Sequence, residues 1–246
     1  MITIIIPAFN EELRLAPTID TIRKALTAEK VEAIDIVIVD DGSRDATPKV
    51  AADLATQPGI RVITHPENRG LGTAIRSGLA AAQGQSFMIL PADDAVSVSA
   101  IRIMLRYRDQ ADMILTVNLN KEYRNLARNL VSMTFQAIYM IAFGIYVQYV
   151  NGPGIWPTAS ARVADLKSNR FSIIAELNVK LLRMGHTFAE VPSYFLPSDK
   201  ARSTVNFRNF REVVAAFFRL LTIIHVKQRA QYAKRPSRKM IDFVER

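Results

Sequence analysis

Two apolar segments of this sequence each end abruptly in acidic side chains. Residues 4–6 lead into Pro7-Ala8-Phe9-Asn10-Glu11-Glu12, and residues 36–39 lead into Asp40-Asp41-Gly42-Ser43. Continuous apolar runs are typical of strands buried on both faces of a parallel sheet, and the carboxyl ends of such strands border the ligand crevice of open α/β sheets. Carboxylates at that edge accept hydrogen bonds from base edges and ribose hydroxyls, and they bind metal ions. The two segments therefore indicate an enzyme that uses an activated nucleotide.

The segments that must position these acids alternate between strand and helix patterns. Further predicted strands lie at 61–64, 87–90 and 113–117. Three helices are predicted between these strands, and the first covers 12–29. The second begins at Ser43 or Asp45, either of which can cap it, and runs through Leu54. The third follows the loop 65–72 and ends near Gly84. This β-α-β-α order predicts an α/β fold: a Rossmann-like, mostly parallel central sheet flanked by helices.

The middle of the chain is apolar and uncharged. No charged residue occurs between Asn129 and Ala161. Residues 130–150 are long enough to cross a bilayer, but polar side chains and Gly144 interrupt them. A single crossing would also separate the following residues from the nucleotide crevice. We therefore expect a hydrophobic helix or hairpin that packs on the domain and touches a membrane, with a plain core helix as the alternative.

The positive charge lies at the C-terminal end, where residues 200–246 carry as large an excess of basic residues as the whole chain, +9. A late strand is predicted at 188–195, with Pro192 near a sheet edge, and an apolar helix at 213–226. The face predicted to be apolar contains Val213, Phe217, Leu220, Leu221 and Ile224. Buried apolar area followed by basic residues suits an anionic lipid surface; a core or dimer-forming helix with a solvated tail is the alternative. The basic tail allows nucleic-acid binding, but such binding is not expected, because the tail has no interleaved aromatic stacking platform.

The composition further restricts the class of protein and the chemistry that it can perform. The chain has 246 residues, 49% of them hydrophobic, and no cysteine. It can therefore bury a full core, and disulfides, thiolate zinc sites and cysteine nucleophiles are excluded. A signal peptide is not expected, because the first apolar run has no basic residue before it and ends at Pro7.

Three motifs together carry a family resemblance. They are Ile6-Pro7-Ala8-Phe9-Asn10-Glu11-Glu12, Val39-Asp40-Asp41-Gly42-Ser43-Arg44-Asp45-Ala46-Thr47 and Asn68-Arg69-Gly70-Leu71-Gly72-Thr73-Ala74-Ile75-Arg76-Ser77-Gly78. With them the sequence resembles glycosyltransferase family 2, of GT-A fold, and looks closest to dolichol-phosphate mannose synthases and bacterial polyprenyl-phosphate glycosyltransferases. The resemblance covers about residues 2–207, which implies a GT-A domain at 1–207 and an amphipathic helix with a basic tail at 208–246.

The resemblance implies a donor site built from the three motifs. The residues expected to bind the nucleotide-sugar are Pro7, Asn10, Glu11, Asp40, Asp41, Gly42, Asn68 and Gly70. Asp40 is expected to accept hydrogen bonds from the base or ribose. Asn68, Gly70 and Gly72 are expected to let the backbone approach the donor closely.

The segment Pro91-Ala92-Asp93-Asp94 occupies the place of the family's Asp-x-Asp metal motif. Pro91 replaces the first acid, Asp93 falls on the second, and Asp94 is an extra carboxylate. The resemblance implies that Asp93 binds Mg²⁺ or Mn²⁺, which would neutralise the diphosphate leaving group, and that Asp93 and Asp94 serve catalysis.

Arginine-rich segments are expected to bind phosphates. Arg124, Arg128 and Ser132 lie in a segment similar to the family's arginine-rich one, and Arg202 and Ser203 lie in a loop similar to its basic loop over the donor. Arg128 and Arg202 are expected to act in catalysis, and Arg124, Ser132 and Ser203 to hold donor or acceptor phosphate.

The resemblance thus implies inverting transfer of a sugar from a GDP- or UDP-sugar to a polyprenyl or dolichyl phosphate, at the cytoplasmic face of a membrane, by a peripheral protein. Transfer to a saccharide is one alternative. A catalytically silent sugar-nucleotide-binding protein is another, and the proline at position 91 favours it.

Overall fold

The computed structural model of the protein describes residues 1–119, 126–170, 172–194 and 207–243, with the backbone alone at 126–128, 131 and 207–210. The described residues form one eight-stranded sheet in the order β3-β2-β1-β4-β6-β5-β7-β8. The strands β1 to β8 are Ile2–Ala8, Ile34–Asp40, Ile60–Thr64, Ser86–Ile89, Met113–Asn118, Gly154–Pro157, Thr187–Ser193 and Ser237–Arg238. All pairings are parallel except those of β6, so the predicted mostly parallel α/β sheet is confirmed.

The antiparallel strand β6 was not predicted. It inserts between β4 and β5, pairing Trp156 with Phe87 and Gly154 with Leu115. A Cβ at Gly154 would lie 2.6 Å from the carbonyl oxygen of Ile114, so glycine permits this close strand pairing. The strand is only four residues long, and its partners are distant in sequence, so no local pattern reveals it.

Helices cover both faces of the sheet. Helices α1 to α8 of the described residues are Leu15–Ala28, Thr47–Ala55, Leu71–Ala81, Val98–Arg106, Leu126–Phe143, Thr158–Val163, Ser172–Arg183 and Phe207–Thr222. Helices α1, α2 and α4 pack on one face of the sheet, and α3 with α5 to α8 pack on the other. Each face of the sheet has its own hydrophobic core, and alternate residues of β1 point into one or the other. Ile4 and Ile6 are buried in one core, and Ile5 is buried in the other.

Helix α5 takes up most of the predicted apolar segment 130–150. It ends at Phe143, where Gly144 adopts φ +59°. Tyr139 and Phe143 are buried in the core, whereas the opposite side of the helix is exposed. No helix among the described residues is long and apolar enough to span a bilayer. The expected helix packed on the domain is therefore observed, and its membrane contact stays a prediction.

Helix α8 continues through a π-helical turn, Ile223–Lys227. The face predicted to be apolar packs inward: Leu220 and Ile224 are buried, and Phe217 and Leu221 pack against the same core. Because that face is covered by the protein, it serves core packing, which was the alternative interpretation, rather than lipid docking.

The basic tail after α8 folds back onto the sheet edge. Tyr232 is buried in the core, and Arg238 in β8 lies 2.9 Å from the carboxylate of Glu190 in β7. Burial raises the pKa of Glu190 despite this arginine. Along β7, Pro192 pairs with Val117 of β5, and no described strand pairs with it on the other side, as its edge position predicted.

Candidate active site

Asp40 is the last residue of β2 and lies in the crevice at the carboxyl ends of the parallel strands. It is aligned with Ala8 of β1 and Thr64 of β3, and its side chain is fully buried. The Oδ1 atom accepts a hydrogen bond from the backbone N–H of Ser43 at 3.1 Å. The Oδ2 atom is buried and has no hydrogen-bond partner among the described residues. A buried carboxylate oxygen without a donor is costly, and a ligand N–H would supply one. Binding of the donor by Asp40 stays a prediction.

The loops that follow β1 and β2 are joined by hydrogen bonds next to Asp40. Asn10, at φ +55°, donates its backbone N–H to Ser43 Oγ at 3.0 Å and accepts the Arg44 backbone N–H on its side-chain oxygen at 2.9 Å. The backbone N–H of Glu11 donates to Thr47 Oγ1 at 2.8 Å. These polar groups set the shape of the crevice through protein contacts. Direct contact of Asn10 or Glu11 with the donor stays a prediction.

Further hydrogen bonds fix the two loops at the start of α2. Asp45 accepts the backbone N–H groups of Thr47 at 2.9 Å and Glu12 at 3.3 Å. Glu12 in turn accepts the backbone N–H of Ala46 at 2.7 Å. The N-cap position of α2 is Ala46, without a side-chain cap bond, so the prediction that Asp45 is the cap was wrong; its carboxylate instead accepts the backbone N–H of Thr47, the first helical residue.

Asp41, next to Asp40, uses both carboxylate oxygens within the protein. It accepts the backbone N–H groups of Arg69 at 3.0 Å and Gly70 at 2.8 Å, and Nδ1 of the buried His65 lies 2.7 Å from its Oδ1. His65 Nε2 is 2.9 Å from Ser77 Oγ. Asp41 therefore anchors the loop that leads into α3, rather than presenting an unpaired oxygen to the crevice. Sequence reasoning missed His65; its position directly after β3, at the same sheet edge, was the available signal.

The glycines of the site are required by close approach of the protein's own backbone. Gly70 has φ +90°, and a Cβ there would lie 2.5 Å from the Asn169 carbonyl oxygen. At Gly42, with φ +71°, a Cβ would lie 2.6 Å from the backbone nitrogen of Asn68. Both glycines therefore permit loop packing. The expected close approach of Gly70 to the donor stays a prediction.

The loop that presses on Gly70 is held by a buried ion pair in α7. Lys180 Nζ lies 2.7 Å from Glu176, and both side chains are almost completely buried. Glu176 also accepts the backbone N–H groups of Lys167 at 3.0 Å and Ser168 at 2.8 Å, and Lys180 donates to the Ala164 carbonyl at 2.9 Å. Burial acts to raise the pKa of Glu176, but the charge and hydrogen bond of Lys180 and the bonds from Ser168 and Lys167 outweigh it, so this pKa is lowered.

The other acids expected at the site follow β4. Asp93 accepts the backbone N–H of Ala95 on Oδ1 at 3.2 Å, and its carbonyl oxygen lies 3.4 Å from Arg14 Nη1. Asp94, at φ +55°, accepts a hydrogen bond from Thr21 Oγ1 at 2.8 Å. Within the described part of the chain no three acidic or histidine side chains converge as a metal site. Because Asp94 is directed to α1, Asp93 is the remaining candidate ligand of this pair, and one carboxylate fits a complete metal site poorly. Metal binding by Asp93 stays a prediction.

The remaining predicted residues are placed only in part. Pro7 lies within β1 and is half-buried, Asn68 is exposed in the loop before α3, and Ser132 is half-buried in α5. Arg128 belongs to α5, but its side chain is outside the described residues. Arg124, Arg202 and Ser203 also lie outside the described residues. Phosphate binding by these residues stays a prediction.

Together, the sheet and the acids at its carboxyl edge define an α/β protein with a candidate ligand site at that edge. The fold matches that of glucosyl-3-phosphoglycerate synthase from Mycobacterium tuberculosis in complex with Mn²⁺, uridine diphosphate and phosphoglyceric acid, with a TM-score of 0.64 at 18% identity over 90% of this chain and 78% of that one. TarS 1-349 from S. aureus in complex with UDP-GlcNAc matches at a TM-score of 0.55 and 18% identity, over 90% of this chain and 65% of that one. The fold is therefore GT-A, as predicted.

The chain belongs to glycosyl transferase family 2, whose family model matches residues 3–167. It is 35% identical over 101 residues to the human dolichyl-phosphate beta-glucosyltransferase, covering 38% of this chain and 31% of that protein. It is 26% identical over 139 residues to the putative glycosyltransferase EpsH of Bacillus subtilis, covering 55% of this chain and 39% of that protein. The matched parts thus span about a third of these relatives. The predicted family is confirmed.

Proposed function

We propose that the protein transfers a sugar from a uridine diphosphate sugar to a polyprenyl phosphate at a lipid surface. The observation that supports this choice of donor is the buried Oδ2 of Asp40, which has no hydrogen-bond partner among the described residues. The imide of uracil offers one N–H, which suits the one unpartnered oxygen. Guanine offers adjacent N–H groups that call for both oxygens, and Oδ1 already accepts from Ser43. The structural neighbours crystallised with UDP and UDP-GlcNAc support the same choice.

In the proposed reaction an ionised phosphate oxygen of the acceptor attacks the anomeric carbon of the sugar. The new bond joins that carbon to the phosphate oxygen, the bond to the nucleoside diphosphate breaks, and the configuration inverts. Because the nucleophile is already an anion near neutral pH, no strong general base is required. Positioning and charge stabilisation supply the catalysis. The dolichyl-phosphate beta-glucosyltransferases among the relatives support this acceptor class.

The surface that supports lipid contact is the outer face of α5. Its exposed side chains are Leu130, Met133, Thr134, Ala137, Ile138 and Ile141. Helical spacing places them in one stripe, without a charge, and Ile141 is 84% exposed. The inner face of α5 packs on α8, with the rings of Tyr139 and Phe217 5.3 Å apart.

The neighbouring helix α8 adds an exposed aromatic ring and positive charge to this surface. Phe218 is 59% exposed, and Arg211, seven residues before it on the same face of the helix, is exposed as well. Exposed apolar side chains beside basic ones bind anionic lipid through both buried area and charge. An anionic bilayer surface is therefore the partner that we assign to the outer face of α5.

Ile141→Glu is expected to weaken binding to phosphatidylglycerol-containing vesicles by about tenfold, since it removes one buried apolar side chain and adds a negative charge. Vesicle co-sedimentation measures the partition, and thermal unfolding verifies the fold, which this exposed position should not affect. The matched control is Val163→Glu at the end of α6, where the valine is 64% exposed. Equal weakening by both variants, or by neither, would contradict the assignment of the α5 face.

A further inference from the structure

The segment that carries Asp93 is fastened to the start of α1. Thr18 Oγ1 donates to the Arg14 carbonyl oxygen at 2.9 Å and accepts the backbone N–H of Asp94 at 3.1 Å. Thr21, one turn further along α1, holds the Asp94 carboxylate at 2.8 Å. These bonds direct the Asp94 carboxylate to α1, and they fix the start of the helix against the Asp93–Asp94 turn.

Arg14 is the cation that this arrangement places beside Asp93. It directly precedes α1, is half-buried, and points Nη1 at the Asp93 carbonyl oxygen, 3.4 Å away. Its backbone N–H donates to the Glu11 carbonyl at 3.0 Å, so the loop leaving β1 supports it. The guanidinium therefore lies between the end of β1 and the turn after β4, where a donor diphosphate would need a positive charge.

We propose that Arg14 binds the donor diphosphate in place of a divalent ion, so that the nucleotide-sugar binds without metal. This inference rests on the proposed function, since it assumes a nucleoside diphosphate donor. Asp93 alone supplies few ligands for a dication, and a fixed guanidinium beside it repels one. A guanidinium also matches phosphate geometry with two parallel N–H donors, and its charge does not depend on pH in the physiological range.

Calorimetric titration of the protein with UDP-glucose, in EDTA and then in Mn²⁺, tests the inference. The wild-type protein is expected to bind with nearly the same affinity in both. Arg14→Gln is expected to weaken binding in EDTA by about tenfold or more, because it removes a charge-assisted contact. Arg14→Lys keeps the charge but loses the two parallel N–H donors. Its donor affinity in EDTA should lie between those of the wild type and Arg14→Gln. Lys24→Gln is the matched control, an equal loss of charge at an exposed position of α1, and it should bind like the wild type.

The outcomes separate this inference from the function on which it rests. Binding of UDP-glucose in Mn²⁺ but not in EDTA would overturn the role of Arg14 and leave the proposed donor intact. Unchanged affinity of Arg14→Gln in EDTA, with an unchanged melting temperature, would also overturn it. Absence of binding to wild-type protein under both conditions, and also with other uridine diphosphate sugars, would overturn the proposed donor and this inference with it.

Discussion

Asp40→Asn is expected to weaken binding of a uridine diphosphate sugar by at least about tenfold, and to leave the fold intact. The amide oxygen of asparagine can still accept the Ser43 backbone N–H, which Asp40 Oδ1 accepts now. The amide nitrogen would then replace the unpartnered Oδ2 and point a donor at the donor group of the base. A hydrogen bond to a charged group contributes about 1.5–3 kcal/mol, and about 1.4 kcal/mol corresponds to a factor of ten.

Calorimetry with UDP-glucose and GDP-mannose measures this loss and the preference for the base. Asp35→Asn is the matched control, since it makes the same substitution near the other end of β2. The Asp35 carboxylate bonds Thr3 and Arg61 at 2.7–2.9 Å, far along the strand from the crevice. The control is expected to lower the melting temperature without changing donor affinity. Donor affinity that survives Asp40→Asn unchanged would rule out Asp40 as the base acceptor, and tighter binding of GDP-mannose would rule out the uridine assignment.

The second large effect is a loss of stability on breaking the buried ion pair of Glu176 and Lys180 in α7. Lys180→Met is expected to destabilise the protein by about 3–5 kcal/mol, the usual cost of leaving a buried charge without its partner. Glu176 would keep the N–H donors of Lys167 and Ser168 and the Arg219 guanidinium at 3.8 Å, but it would lose the ammonium 2.7 Å away. The Ala164 and Asp165 carbonyls would lose their common donor. Since these residues hold the loop packed on Gly70, donor affinity should fall with stability.

Urea unfolding of the single variants and of the double variant Glu176→Gln with Lys180→Met provides the test. The double variant should recover much of the loss, because neither remaining side chain is charged. The lowered pKa of Glu176 adds a pH signature: its contribution to stability is fully present above the unfolded pKa of about 4.3 and is lost as the pH falls through the lower folded value. This acid-dependent part should disappear in Glu176→Gln. A stability of Lys180→Met within about 1 kcal/mol of the wild type would contradict the importance of the pair.

The elements of the sheet and most helices followed from local patterns. The apolar runs that end at Ala8 and Asp40 became β1 and β2, because residues buried on both faces of a parallel strand leave a continuous apolar signature. Helix α5 was anticipated as an apolar segment, but its inner and outer faces were not, since an almost uncharged helix has no polar side to show its orientation. Strand β6 escaped prediction because its pairing depends on β4 and β5.

The gathering of acids at the carboxyl edge of a parallel sheet could be predicted from local patterns, because strand direction and chain order require it. The difference between Asp40 and Asp41 required the packed structure. Asp40 has an oxygen without a partner among the described residues, whereas both oxygens of Asp41 are hydrogen-bonded to His65 and the loop before α3. The packed structure also directed Asp94 to α1 and placed Arg14 beside Asp93. The physical reason is that the partners of these groups lie 24 to 79 positions away in the chain, so their hydrogen bonds exist only once the sheet and helices have packed.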